Sequence, residues 1–302
     1  MLIRPAEIDE AANCEPLLSS RPPAGLWRDA VRRLARNRMA IGGAAIVVIL
    51  VVTAVLAPLL APYDPVKQDY NAILSGPSSL HLMGTDGLGR DVLSRLIFGA
   101  RTSMTVGVFT QFVILAIGLS IGATAGLAGG RTDNLLMRFT DIMYAFPDLL
   151  LIILLRSIFG GSLVMVFVAI GLAGWVTLAR LVRGQVLSLR ERDYVEAARC
   201  MGASQFRILR QHLLPNALGP VIVALTFGVP SAIFAEAALS YIGVGISPPT
   251  PSWGTMIQEG FQAIFAFPSL VVYPGLAIAV TMMSFTFLGD GLRDALDPRM
   301  RR

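Results

Sequence analysis

Six long apolar runs constrain this chain more than any other feature. They span Met39 to Ala61, Thr102 to Gly129, Phe139 to Phe159, Ser162 to Leu181, Ala217 to Gly245 and Leu270 to Leu288. A helix of about 20 apolar residues crosses the hydrocarbon core of a bilayer. Lipid leaves no water to satisfy backbone groups, so each run must be helical. Composition agrees: 54% of the 302 residues are hydrophobic, 15% are charged and mean hydropathy is +0.65. Soluble domains average about 45–50% apolar and 25% charged. The expected fold class is an all-α polytopic membrane protein with six transmembrane helices. The first run exceeds the roughly 7–15 apolar residues of a signal peptide, and Pro62 makes a poor cleavage site, so a retained anchor is expected.

Charge gives the orientation. With the N-terminus inside, all but five of the 25 Lys and Arg fall on the cytoplasmic side. The exceptions are Lys67, Arg90, Arg95, Arg101 and Arg156. The opposite orientation would violate the positive-inside rule. Both termini are therefore expected in the cytoplasm. The basic excess, net +5, is an orientation signal and a lipid contact rather than a nucleic-acid site.

Several chemistries are excluded. Lys67 is the only lysine and Val66 precedes it, so no GxxxxGK phosphate loop exists. His81 and His212 make no HExxH motif, and no GxSxG elbow occurs. Cys14 and Cys200 offer neither a disulfide framework nor metal spacing. No catalytic residue, metal site or cofactor is expected in this chain.

Four polar or broken stretches interrupt the apolar pattern. Residues 1–38 form an N-terminal tail, in which Trp27, Val31 and Leu34 line one side of a basic helix at 26–37. That helix either lies on anionic lipid or is a basic tail that anchors orientation. Residues 62–101 form an external loop holding Met83-Gly-Thr-Asp-Gly-Leu-Gly-Arg-Asp-Val-Leu-Ser-Arg95. Asp86, Arg90, Asp91 and Arg95 can pair with one another there. The charges either lock the loop or meet an external protein. Residues 102–292 form a five-helix core. Within it Gly118, Gly122 and Gly126 make a small-xxx-small face for close helix approach. Glu236 is the only carboxylate well inside the fifth run, which Pro220 and Pro230 are expected to interrupt. It either lines a path or holds two helices together. Residues 293–302 are a C-terminal tail.

The core also contains a polar island at 183–216. Val195, Ala198 and Met201 fall at helical spacing, as do Phe206, Leu209 and Leu213. Gly202 permits a bend between two short helices, and Leu214-Pro215 is expected to stop the second. Such an amphipathic unit suits a groove on a soluble partner.

Here the sequence resembles a known family. Glu196-Ala197-Ala198, Gly202 and Leu214-Pro215 look like the EAA signature of ABC-importer permeases, with His212 where that pattern usually has an aliphatic residue. GTDGLGRDVLSR at 84–95, the stretch from Glu236 to Gly245, PPTPSWG at 248–254 and the ending from Gly289 to Arg299 are similar to the C-type permease of dipeptide, oligopeptide and nickel importers. The resemblance runs from about residue 26 to 302. It implies a type I ABC importer permease fold in the cell inner membrane. It implies that Tyr194, Val195, Glu196, Ala197, Ala198, Arg199, Met201, Gly202, Ala203 and Ser204 couple the chain to an ATP-binding subunit. It further implies a second homologous permease, two ATP-binding subunits that hold ATP and Mg, and an extracytoplasmic substrate-binding protein. The substrate could be a dipeptide, a longer peptide, a nickel chelate or glutathione. An ion-coupled secondary transporter is the rival class, yet few intramembrane charges and no clear repeat support it.

Overall fold

The computed structural model describes residues 26–296, so most of the N-terminal tail and the end of the C-terminal tail lie outside the described residues. The elements are α1 (Leu26–Leu34), α2 (Arg38–Val55), α3 (Ala57–Leu60), α4 (Val92–Ala128), α5 (Gly130–Ala145), α6 (Asp148–Phe159), α7 (Leu163–Arg190), α8 (Asp193–Cys200), α9 (Gln205–Ile208), α10 (Leu214–Tyr241), α11 (Trp253–Phe261) and α12 (Ser269–Leu296). No β-strand occurs among the described residues; Thr85 and Asp91 form a lone bridge. Among the described residues, five helices are long and apolar enough to cross a membrane, with α9 and α10 running together as one. A sixth span exists if α5 and α6 count as one.

Helices α4 and α7 form the centre. Their contact is close because glycine faces it from both sides. A Cβ on Gly122 would lie 2.4 Å from the Ala179 carbonyl oxygen, and one on Gly126 2.8 Å from Val186 Cβ. Gly171 of α7 returns the arrangement against Val113 of α4. Small residues let helix backbones approach where lipid supplies no hydrophobic drive. Helix α10 packs on both, α12 packs on α10, and α2 lies outside against α12 and α4. Gly43 of α2 sits directly on the Ser284 carbonyl of α12.

The spans depart from the sequence expectation in four places. The third run is not one straight helix: α5 and α6 meet at 86°, with Phe146 and Pro147 at the break. Pro147 cannot donate a backbone bond and pushes Phe146 into an extended conformation. The first run ends as a helix at Val55, and α3 restarts with Pro58 in its first turn. Helix α4 begins ten residues before Thr102, because Asp91 caps it by accepting from the Ser94 amide at 2.8 Å. Pro220 and Pro230 lie inside α10 without ending it, as packed membrane helices permit.

The bundle has two polar ends. At one, α1, the start of α2, the α4–α5 junction, the end of α7, α8, α9 and the end of α12 gather. Ala40 and Leu34 lie against Gly291, Arg190 Nη1 donates to the Gly126 carbonyl, and Leu296 lies by Gly219. At the other end stand the 62–91 excursion, α11 and the α6–α7 turn, where Arg156 Nε donates to the Gly245 carbonyl at 2.8 Å.

Candidate functional site

At the first end, α8 and α9 make an elbow. Val195 and Ala198, three residues apart, are buried, and so are Ile208 and Leu213. They join Ala123, Leu178, Val182, Val186 and Val221 in one cluster, which roots the elbow in α4, α7 and α10. The turn at Gly202 ends α8 by a Schellman motif. The Gly202 amide donates to the Arg199 carbonyl at 2.9 Å and the Ala203 amide to the Ala198 carbonyl at 3.0 Å. That turn holds Gly202 at φ +80°, a conformation costly for any residue with a Cβ. Ser204 then caps α9 by accepting from the Arg207 amide.

The other face of the elbow is open. Tyr194, Glu196, Ala197, Arg199, Met201, Gly202, Ser204 and Phe206 are exposed, and Ala203 is half-buried. Met201 was expected on the same face as Val195 and Ala198, yet it is 82% exposed. The helix ends at Cys200, so helical spacing no longer governs it. Phe206 is likewise exposed, and Ile208 takes the buried position expected of it. Glu196 makes no ion pair among the described residues, whose pairs are all elsewhere. The expected stop at Leu214-Pro215 is corrected. A π turn at Leu209–Leu213 joins α9 to α10 without interruption, and Pro215 sits in the first turn of α10. The wider π turn just before Pro215, in which the Leu214 amide reaches back to the Leu209 carbonyl, accommodates a residue without a backbone donor, and Asn216 Nδ2 donates to the His212 carbonyl at 2.6 Å.

Among the described residues, two ion pairs brace this end. Arg183 of α7 grips Asp133 of α5 with Nε and Nη2 at 2.5 and 2.7 Å. Arg180 donates to Asp141 at 2.8 Å and lies over the Tyr144 ring. Sequence motifs do not reveal these pairs, because Asp133 and Arg183 are fifty residues apart and Asp141 and Arg180 thirty-nine.

At the second end, Asp86, Arg90 and Arg95 meet a residue that no motif points to. Glu259 of α11 completes a ring. Asp86 Oδ2 accepts from Arg90 Nε at 2.7 Å and Arg95 Nη1 at 2.5 Å. Glu259 Oε2 accepts from Arg90 Nη2 at 2.7 Å and forms an ion pair with Arg95 Nη2 at 2.8 Å. The available signal was isolation: Glu259 is the only charged residue between Glu236 and Asp290. Asp91 stays out of the ring. It caps α4 and lies 2.9 Å from His81 Nδ1.

Glu236 is wholly buried. Its Oε1 accepts from Ser240 at 2.7 Å and from Ser252, the α11 cap, at 2.8 Å; Ser103 of α4 lies 3.5 Å from Oε2. The carboxylate thus joins α10, α11 and α4. Glu236→Ala leaves three hydroxyls without their acceptor and opens a void, a loss of about 2–4 kcal/mol. Glu236→Gln keeps an acceptor oxygen and is expected to lose less than half of that. Thermal melting of both variants in detergent checks the order; equal melting temperatures would remove the network from the stability of this end.

Comparison with known proteins decides the family. Residues 118–302 match the family described as "Binding-protein-dependent transport system inner membrane component". Residues 25–77 match "N-terminal TM domain of oligopeptide transport permease C". The chain belongs to the binding-protein-dependent transport permeases. The oligopeptide transport system permease protein OppC of Bacillus subtilis is 42% identical over 94% of this chain and 93% of its own length. The dipeptide permease DppC of the same organism is 43% identical over 98% and 92%. The glutathione permease GsiD of an Escherichia coli O6 strain is 40% identical over 96% of each. A chain of the MetNI methionine ABC transporter, in an inward-facing crystal form, shares the fold: TM-score 0.55, 20% identity, 67% of this chain and 96% of that one. The binding-protein-dependent transport permease family therefore accounts for nearly the whole chain and its membrane setting, and the MetNI likeness for the all-α fold.

Proposed function

We propose that this permease is one half of the translocation pathway of an ATP-driven peptide importer in the cytoplasmic membrane. A second, homologous permease supplies the other half, and an extracytoplasmic binding protein delivers substrate. Two partner subunits bind ATP and Mg; this chain carries the mechanical link to one of them. The observation that carries the reading is the elbow, an exposed amphipathic unit whose buried side is fixed to α4, α7 and α10. A push on Tyr194, Glu196 or Met201 is thereby delivered to the central helices. Clustering of most arginines at the elbow end supports a cytoplasmic elbow and cytoplasmic termini. Relatives named for oligopeptide and dipeptide transport support peptide as substrate; the glutathione relatives, and nickel chelates, keep a second substrate within the same class.

The test is uptake by the co-purified assembly in proteoliposomes. Labelled dipeptide is expected to accumulate only with ATP on the elbow side, and to continue when ion gradients are collapsed. Uptake that follows an ion gradient without ATP overturns the reading in favour of a secondary transporter.

A further inference from the structure

The corner between α1 and α2 carries more positive charge than the fold uses. Residues 26–38 hold Arg28, Arg32, Arg33, Arg36 and Arg38 against one acid, Asp29. Arg32, Arg36 and Arg38 are exposed, and Arg33 is half-buried. None of these four makes an ion pair among the described residues, although α12 brings the exposed Asp290 and Asp294 to the same end. Arg32 and Arg33 lie in the last turn of α1, where a helix favours cations. Arg36 and Arg38 have no such reason. They flank Asn37, the cap of α2, at the helix end that repels cations. The level of this corner follows from α2, whose 18 residues rise about 27 Å, close to the roughly 30 Å hydrocarbon core. Arg38, its first residue, therefore stands at the headgroup layer. Apolar residues face outward beside the charges: Val31, Met39 and Ile41 are 65%, 58% and 47% exposed. Ile41 begins an exposed row that continues with Val48, Val52 and Val55. The opposite side is fixed, since Ala30 and Ala40 are buried, and Leu34 and Ala40 rest on Gly291 of α12.

We propose that this corner seats anionic phospholipid headgroups of the leaflet at the elbow end, with Arg36 and Arg38 on the phosphates and Val31 and Met39 against the acyl chains. Lipid fits both parts of the surface. Its phosphate supplies the anion that the arginines lack, and its chains cover apolar residues that a soluble anion would leave in water. A net negative headgroup is favoured over a zwitterionic one, because the charge of the corner is unbalanced. Each basic residue beside an anionic surface adds about fivefold to the affinity. Seated headgroups hold α1 in the plane of the membrane and on α12. A basic tail that served orientation alone would use its charge during insertion and hold no lipid afterwards. The seat stands apart from the importer reading, because neither ATP nor substrate enters it.

Native mass spectrometry of the full chain in detergent, titrated with phosphatidylglycerol or with phosphatidylcholine of the same acyl chains, tests this. The wild type is expected to prefer phosphatidylglycerol by at least about tenfold. Arg36→Gln with Arg38→Gln is expected to lower phosphatidylglycerol affinity by at least about tenfold and to leave phosphatidylcholine binding unchanged. The control, Arg131→Gln with Arg138→Gln, takes the same charge from two exposed residues of α5 that form no ion pair among the described residues, and should keep the preference. If the first double variant fails to fold, Arg32→Gln with Arg33→Gln carries the comparison. Equal affinity of the wild type for both lipids overturns the proposal. Equal losses in the test and control pairs overturn it in favour of net charge alone. Displacement of phosphatidylglycerol by glycerol phosphate at a similar concentration overturns it in favour of a soluble anion.

Discussion

Glu196→Lys is expected to abolish ATP-driven uptake while the protein still inserts and folds. The side chain is exposed and pairs with nothing among the described residues, so the fold has no need of it. A reversed charge at a docking contact costs about 2–5 kcal/mol, or roughly thirty- to several-thousand-fold in affinity. Moving a permease from 1:99 to 99:1 between its two states takes about 5.5 kcal/mol of differential affinity. A loss of that size at the elbow removes most of the drive. Gly202→Trp should act by another route. A Cβ at Gly202 meets no atom within 4 Å, so bulk inside this chain is not the obstacle. The obstacle is φ +80°, which a residue with a Cβ adopts at a cost of about 1–3 kcal/mol. The turn opens, and α9 loses its angle to α8. Uptake, ATPase stimulation and membrane yield are measured together. Normal uptake by a well-folded Gly202→Trp protein would count heavily against the elbow as the point of coupling.

Particular residues show what a sequence of this kind discloses. Apolar runs reveal their own existence, because lipid admits little except helix. They do not reveal where a run breaks: Phe139 to Phe159 reads as one span, and Pro147 turns it through 86°. At the elbow, Val195 and Ala198 announce a buried side by spacing, and Gly202 announces the turn. Met201 misleads, since periodicity cannot say that a helix ends one residue earlier. Pro215 misleads for a related reason. A proline stops a helix in isolation, but a π turn just before it places it in the first turn of the next helix. The ring at the opposite end was half visible. Asp86, Arg90 and Arg95 stand within ten residues of one another, whereas Glu259 arrives from 164 residues beyond Arg95. Glu236 advertised itself as a carboxylate inside an apolar run, but two of its serine partners, Ser103 of α4 and the α11 cap Ser252, reach it only through packing.

Gly122→Leu should prevent the folded permease from accumulating. The position lies at the middle of the α4–α7 contact, and a Cβ there falls 2.4 Å from the Ala179 carbonyl oxygen and 2.8 Å from Val182 Cβ. The first obstacle is backbone, which cannot rotate away as a side-chain tip can. Inserting a side chain into a packed core typically costs about 1–3 kcal/mol, and more when backbone must move. Here two long helices would have to separate along their length, forfeiting the approach that Gly118 and Gly126 make on either side. Gly122→Ala meets the same carbonyl with one methyl and should lower the melting temperature by several degrees. The control is Gly42→Leu, the same change on the exposed side of α2, where a Cβ meets nothing within 4 Å. It adds the same apolar bulk to the chain and should leave yield and melting unchanged. Fluorescence-detected size exclusion and thermal melting in detergent separate the three. If Gly122→Leu and Gly42→Leu behaved alike, close approach of α4 and α7 would not be what holds the centre of this bundle.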